Sequence, residues 1–162
     1  KIQIMLVPFN TLPKTSKVWI YQSNNAFSDS QLPVINDLLI KFTNQWQRHG
    51  ADLESSYKIV YNQFIVIGVN DTVSGCSIDA SVHVIQEIEQ RFNVDLTNKL
   101  QTAFRNGDNI NTVSLADFKK YVALGKINDL TIVFNNMADS IAAFETEWEV
   151  PANKSWHKKY FN

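Results

Sequence analysis

The chain has a single cysteine, Cys76, among 162 residues. That excludes an intramolecular disulfide and a cysteine-rich zinc site, and it fits a cytoplasmic setting. An excess of charge of one sign is also lacking. Lys and Arg number 15 against 16 Asp and Glu, for a formal net charge of -1. The two signs are interspersed and form no polybasic arm, so nucleic acid is not an expected partner. Long apolar runs are missing as well. Stretches such as Phe64-Ile65-Val66-Ile67 are far too short to span a bilayer, and no membrane partner is expected. The stretch Lys1–Phe9 lacks the full apolar core and small-residue cleavage site of a signal peptide, and Met5 reads as a candidate start. Glycine is scarce, at five residues, and none stands in a G-x-x-x-x-G-K-[ST], G-x-G-x-x-G or G-x-S-x-G arrangement. No H-E-x-x-H is present either. Glu87, Glu89, Glu145, Glu147 and Glu149 lack metal spacing with a histidine and read as a solvated face, so no metal and no cofactor are expected.

What is present is apolar area. Ten Phe, five Tyr and four Trp argue for a packed core rather than disorder. No repeat, low-complexity tract or linker divides the chain. We expect one domain over residues 1–162, with a core over 9–150 and a tail, 151–162, docked on it. Val18–Gln22 reads as a strand covered on both faces. A helix follows over about Asp29–His49. Ser28 and Gln31 form its capping box, Phe27 and Leu32 a hydrophobic staple, and Ile35, Leu38, Leu39, Phe42 and Trp46 one stripe. Pro33 would sit in the second turn of that helix, which makes Ser30 an alternative cap. His49 then lies at the C-terminal end, where a cation is favoured, and Gly50 stops the helix. Ser56–Tyr61 and Phe64–Asn70 read as strands joined at Asn62-Gln63, with Tyr57, Ile59 and Tyr61 on one face. Ile78–Phe92 reads as a second helix. The order β-α-β-β-α is most of a ferredoxin-like unit, so the expected fold is α+β, ferredoxin-like in its first half, with a mainly antiparallel sheet and additional C-terminal helices. Beyond Asn93 the reading is a short helix over Leu96–Arg105 ended by Gly107, then a strand at Asn109–Val113. A helix at Leu115–Leu124 capped by Ser114, a strand at Leu130–Phe134 and a helix at Met137–Glu147 complete it, before an irregular tail anchored by Trp156 and Phe161.

Chemistry is best sought at Ser74-Gly75-Cys76-Ser77-Ile78-Asp79-Ala80-Ser81, which joins a strand to a helix N-terminus. Such an end presents unpaired N–H groups and partial positive charge, which attract anions and favour a thiolate. Gly75, Ser77 and Ser81 are therefore candidate ligand-binding residues for a small anion, and Cys76 is a candidate nucleophile. The same residues have a structural reading: Ser77 or Asp79 as an N-cap, Gly75 as a turn residue and Cys76 as a small buried hydrophobe. His83 follows Asp79 by one helical turn, so Cys76, His83 and Asp79 form a candidate thiol-enzyme set. His157, in Ser155-Trp156-His157, is a further candidate partner for the Cys76 loop, or part of a tail docked on the core.

The residues Lys17-Val18-Trp19-Ile20-Tyr21-Gln22-Ser23-Asn24, Trp46-Gln47-Arg48-His49-Gly50, Gly75-Cys76-Ser77-Ile78-Asp79-Ala80-Ser81-Val82 and Ser155-Trp156-His157 together resemble a group of small uncharacterised bacterial proteins. Many of these carry the label "ABC transporter ATPase". The resemblance covers most of Phe9–Gly107 and, more loosely, the C-terminal third. It implies one α/β domain and draws attention to Gly75–Ser81. The ATPase label does not extend to this chain, which lacks a lysine-bearing phosphate loop and its acidic metal partner. Three functions stay open: a binding or regulatory domain for a small anionic ligand or protein partner at Gly75–Ser81, a thiol- or acid/base-dependent enzyme, and a structural homo-oligomer joined through the Tyr57–Tyr61 strand, Trp148 or Trp156.

Overall fold

The computed structural model describes residues 7–48, 51–52, 54–70 and 78–161. After a 3-10 turn at Phe9–Thr11, β1 (Lys17–Gln22) places Trp19 and Tyr21 on one face and Val18 and Ile20 on the other. The helix α1 (Gln31–Gln45) is shorter at both ends than its apolar stripe predicts. Ser28 and Gln31 do bond reciprocally, backbone N–H to side chain at 3.0 and 3.2 Å, but as a turn ahead of the helix. Because α1 begins at Gln31, Pro33 falls among the first N–H groups, which have no intrahelical acceptor, and costs no hydrogen bond. Trp46 is already extended, and β2 (Gln47–Arg48) pairs with β3 (Ala51–Asp52). The helix therefore does not reach His49, which with Gly50 lies outside the described residues.

β4 (Glu54–Val60) and β5 (Phe64–Asn70) form a hairpin, and β5 also pairs antiparallel with β1, giving the order β1-β5-β4. β5 is central and apolar at both parities because both its faces are covered. Ile65, Ile67 and Val69 meet α1 and α2 (Ile78–Phe92), while Phe64 and Val66 face the other way. Burying each of these side chains contributes roughly 1.5–3 kcal/mol.

The second half departs from expectation. Gln101–Asn106 is a strand, β6, and not the end of a helix; it pairs with β7 (Asn109–Ser114) across a two-residue turn. Gly107 occupies the first central position of that turn at φ 64°, a conformation glycine adopts freely. α3 (Leu115–Ala123) is capped by Ser114, whose Oγ accepts from the Asp117 N–H at 3.0 Å. β8 (Ile132–Phe134), α4 (Ile141–Glu147) and β9 (Glu149–Pro151) follow, and the second sheet runs β7-β6-β8-β9, antiparallel throughout. α4 is shorter than the predicted Met137–Glu147 because the chain before it serves the edge of β1: Val18 N–H donates to Asp139 O, and Ile141 N–H to Ser16 O. Ser140 then caps α4 through its bond from the Ala143 N–H.

The two sheets face each other across an apolar layer of Val18, Phe64 and Val66 from the first and Ala103 and Phe134 from the second, with Ile141, Phe144 and Trp148. The outer face of the second sheet, with Phe104 and Val133, is closed by Phe118 of α3, by Ile127 and by Ala152, with Tyr160 and Phe161 packed against them. The order of layers is helices, sheet, sheet, then α3 with the 3-10 turns Ala152–Lys154 and Trp156–Phe161. Trp148 lies buried in the middle layer, so it offers no contact to a second copy of the chain.

Candidate functional site

The β4–β5 turn begins a site at one end of the sheet pair. Gln63 N–H donates to Val60 O at 3.1 Å, and both Tyr61 and Asn62 have positive φ, 53° and 52°. This is the primed geometry that suits a hairpin's twist, but a tyrosine in the left-handed region costs of order 1–3 kcal/mol unless its surroundings hold it there. They do. The turn also takes Tyr61 off the face shared by Tyr57 and Ile59, contrary to the strand alternation read from sequence. Its ring stacks on Trp148, with centroids 6.1 Å apart, and meets Phe134 edge-on. The Tyr61 hydroxyl donates to Glu149 of β9, and Arg105 of β6 donates through Nε to the other carboxylate oxygen at 2.7 Å. The Arg105 guanidinium also lies 4.7 Å from the Tyr61 ring centroid. Bonding to Glu149 raises the proton affinity of both the Tyr61 phenol and the Arg105 guanidinium, so the phenol stays neutral and the arginine charge stays matched.

The facing wall is the loop after β1. Gln63 fixes it, its Nε2 donating to Ser23 O at 2.9 Å and to Thr112 Oγ1 of β7 at 3.0 Å, while Phe27 N–H donates to Asn62 O. Between this loop, the Tyr61 turn and the β6–β7 hairpin opens a cleft of about 720 Å³. A second pocket of about 350 Å³ shares Asn24, Asn25 and Ala26 with it and reaches Asn93 and Asp95 after α2.

The cleft is rich in side-chain amides: Asn24, Asn25, Asn62, Gln63, Asn109 and Asn111 all line it. At several other turns the asparagines are committed to the fold. Asn98, Asn128 and Asn135 each accept a bond from the N–H two residues on. The five cleft asparagines make no side-chain hydrogen bond among the described residues. Their amides present both donors and acceptors to whatever enters.

Of the residues singled out from sequence, Gly75, Cys76 and Ser77 lie outside the described residues. Asp79 stands in the first turn of α2. Ser81 is buried, its Oγ 3.4 Å from the Tyr21 hydroxyl, because it shares the inward stripe of Ile85, Ile88 and Phe92. His83, on the opposite face of α2, is exposed. His157 is sealed in the core at 0% exposure. Its Nε2 meets Thr102 Oγ1 and its Nδ1 meets Ser155 Oγ, both at 2.7 Å, and its ring packs on Phe118 and Trp156. Burial, with a smaller effect from Lys159, lowers its pKa to about 4, so the imidazole is neutral and each nitrogen is matched by a hydroxyl. His83 sits outside the first sheet and His157 outside the second, so the fold does not bring the two together.

Arg105 and the cleft asparagines were not singled out from sequence, Tyr61 reads there as a strand residue, and Glu149, expected on a solvated face, is instead bonded to Tyr61 and Arg105. The one local signal of the cleft is the density of asparagine in Asn24-Asn25, Asn62 and Asn106–Asn111, which reads equally well as turn chemistry. No family model, curated protein or solved structure matches the chain. Among the described residues, no group of three or more His, Cys, Asp or Glu is placed to hold a metal ion, and no helix is long and apolar enough to cross a membrane.

Proposed function

We propose that this protein is a binding domain whose ligand occupies the cleft between Tyr61, Arg105 and the Asn24–Ala26 loop. The observation that carries this reading is the set of five asparagine side chains gathered there with no side-chain hydrogen bond among the described residues. In small-molecule sites a few placed polar groups fix the ligand's orientation, and here the amides supply them around an open cleft. The frame here is the Tyr61–Glu149–Arg105 network, which joins a turn of the first sheet to two strands of the second. Binding is favoured over catalysis because the Tyr61 phenol is held protonated and the Arg105 charge is taken up by Glu149, while His157 is closed off from any substrate.

Three further readings accompany this proposal. The first half follows a ferredoxin-like β-α-β-β-α path, supported by the order β1-β5-β4; the 139–141 segment occupies the free edge of β1, beside which that path would continue. The lone cysteine and the resemblance to small bacterial proteins support a place in a bacterial cytoplasm. The Gly75–Ser81 loop is kept as a candidate anion site, and Cys76 with His83 as a candidate thiol pair, beside their structural reading as a helix cap, a turn and a small buried thiol.

Nitrogen-15 NMR of the intact chain against a mixed fragment library tests the proposal. Hits should shift the side-chain amides of Asn24, Asn62, Asn109 and Asn111. Hits confined to Ser77–Ser81 would move the site to the helix end. A Cys76 alkylation rate that reports a strongly acidic thiol would revive the enzyme reading.

A further inference from the structure

We infer that the ligand of this cleft is a neutral saccharide, long enough to lie across the Asn24–Ala26 loop and reach both pockets. The inference rests on the binding reading above and concerns the chemical class of what is bound.

Charge comes first. The cleft has one cation, Arg105, and Glu149 holds it through a 2.7 Å bond. Asp108 adds a carboxylate to the lining. A phosphate or carboxylate ligand would meet no unmatched positive charge, and it would lie near a negative one. A cation would find single carboxylates only, Asp108 beside an arginine in the first pocket and Asp95 in the second, and no metal-holding group among the described residues. The balance suits a ligand without charge.

Hydrogen bonding comes next. A sugar offers adjacent hydroxyls, each both donor and acceptor. Side-chain amides are matched to that pattern, with an acceptor oxygen and a donor NH₂ about as far apart as neighbouring hydroxyls. Asn24, Asn25, Asn62, Asn109 and Asn111 supply five such groups. Asn24, Asn25, Asn62 and Asn109 are exposed and Asn111 is half-buried, so their amides are open to a ligand's hydroxyls.

Shape completes the argument. Tyr61 is 48% exposed, but its ring lies between Trp148 and the Arg105 guanidinium, so it offers the cleft wall an edge and a hydroxyl held by Glu149 rather than an open face. The first pocket, at about 720 Å³, exceeds what one sugar ring fills, and the second shares Asn24, Asn25 and Ala26 with it. A chain of rings running past that loop uses both.

The test is titration of the nitrogen-15-labelled intact chain with neutral mono-, di- and tetrasaccharides, both hexose and N-acetylhexosamine, with inorganic phosphate and an uncharged tetrapeptide alongside. The expected result is saturable shifts of the five asparagine NH₂ pairs by a saccharide. Affinity should rise at least tenfold from mono- to tetrasaccharide and be unchanged between about 50 and 500 mM salt, over which the Debye length falls from roughly 14 to roughly 4 Å. Asn62→Ala and Asn111→Ala should each weaken binding severalfold, with the backbone spectrum otherwise preserved. Shifts at these amides produced by phosphate or by the peptide, and by no saccharide, would overturn the saccharide class and leave the cleft as a binding site. No shift there with any probe or with the fragment library would overturn both.

Discussion

Acidification should destabilise this fold through one residue, and the size of the effect follows from the burial of His157. In the folded chain its pKa is lowered from 6.5 to about 4, and unfolding restores the ordinary value. Above the unfolded value neither state binds the proton, and His157 contributes no pH dependence. As pH falls from 6.5 towards 4, the unfolded chain takes a proton that the folded chain refuses, so stability is lost across that window. Each pH unit is worth about 1.4 kcal/mol, which gives a loss of about 2 kcal/mol between about pH 7.5 and pH 5 and ~3 kcal/mol over the whole window. With a urea dependence of roughly 1–3 kcal/mol per molar, the unfolding midpoint should fall by about 1 M over that range. The measurement is urea unfolding of the wild type and of His157→Gln at half-unit steps down to about pH 5, above the range where most carboxylates take up protons. The variant starts lower, since its amide cannot match both Thr102 and Ser155 and fill the space beside Phe118, but its profile should be flatter by one proton. Parallel profiles would refute the assignment of the acid sensitivity to His157.

Three other substitutions follow from the packing and the charges. At Gly68 an added Cβ would stand 2.9 Å from Leu12 Cδ1, so Gly68→Val should cost about 1–3 kcal/mol in chemical unfolding. Ser16 Oγ is buried and has no hydrogen-bond partner among the described residues, so Ser16→Ala should leave stability unchanged or raise it by up to about 1 kcal/mol; a loss above that would mean the hydroxyl is bonded. Glu149→Gln frees the Arg105 charge and lowers the Tyr61 phenol towards its ordinary value, so the cleft should begin to bind inorganic phosphate, an effect that added salt should abolish and that the NH₂ resonance of Asn62 should report.

The first sheet and its two helices were legible in the sequence because their signals are local and redundant. α2 spans Ile78–Phe92 as its periodicity indicates, and the central burial of β5 follows from an apolar run at both parities. β6 imitates a helix in sequence for an equally physical reason. Leu96, Leu100 and Phe104 recur every four residues and imitate a helical stripe, and Gly107 then looks like a helix stop. Yet Leu100 is 67% exposed, and the stripe buries nothing as a unit. What makes Gln101–Asn106 a strand is the alternation of Ala103 towards one apolar layer with Thr102 and Phe104 towards the other, and both layers are tertiary.

The same distinction governs the site. Its parts come from the loop after β1, the β4–β5 turn, the β6–β7 hairpin and β9, with no fixed spacing to reveal them. An asparagine at a turn is ambiguous in sequence, since the amide that closes a turn is the amide that binds a ligand. The two uses separate only when the hydrogen bonds are traced. Asn128 and Asn135 spend theirs on the backbone, whereas Asn62 keeps its own even though its backbone carbonyl accepts from Phe27. In Asn62 the left-handed backbone fulfils the demands of the turn, which leaves the side chain over for recognition.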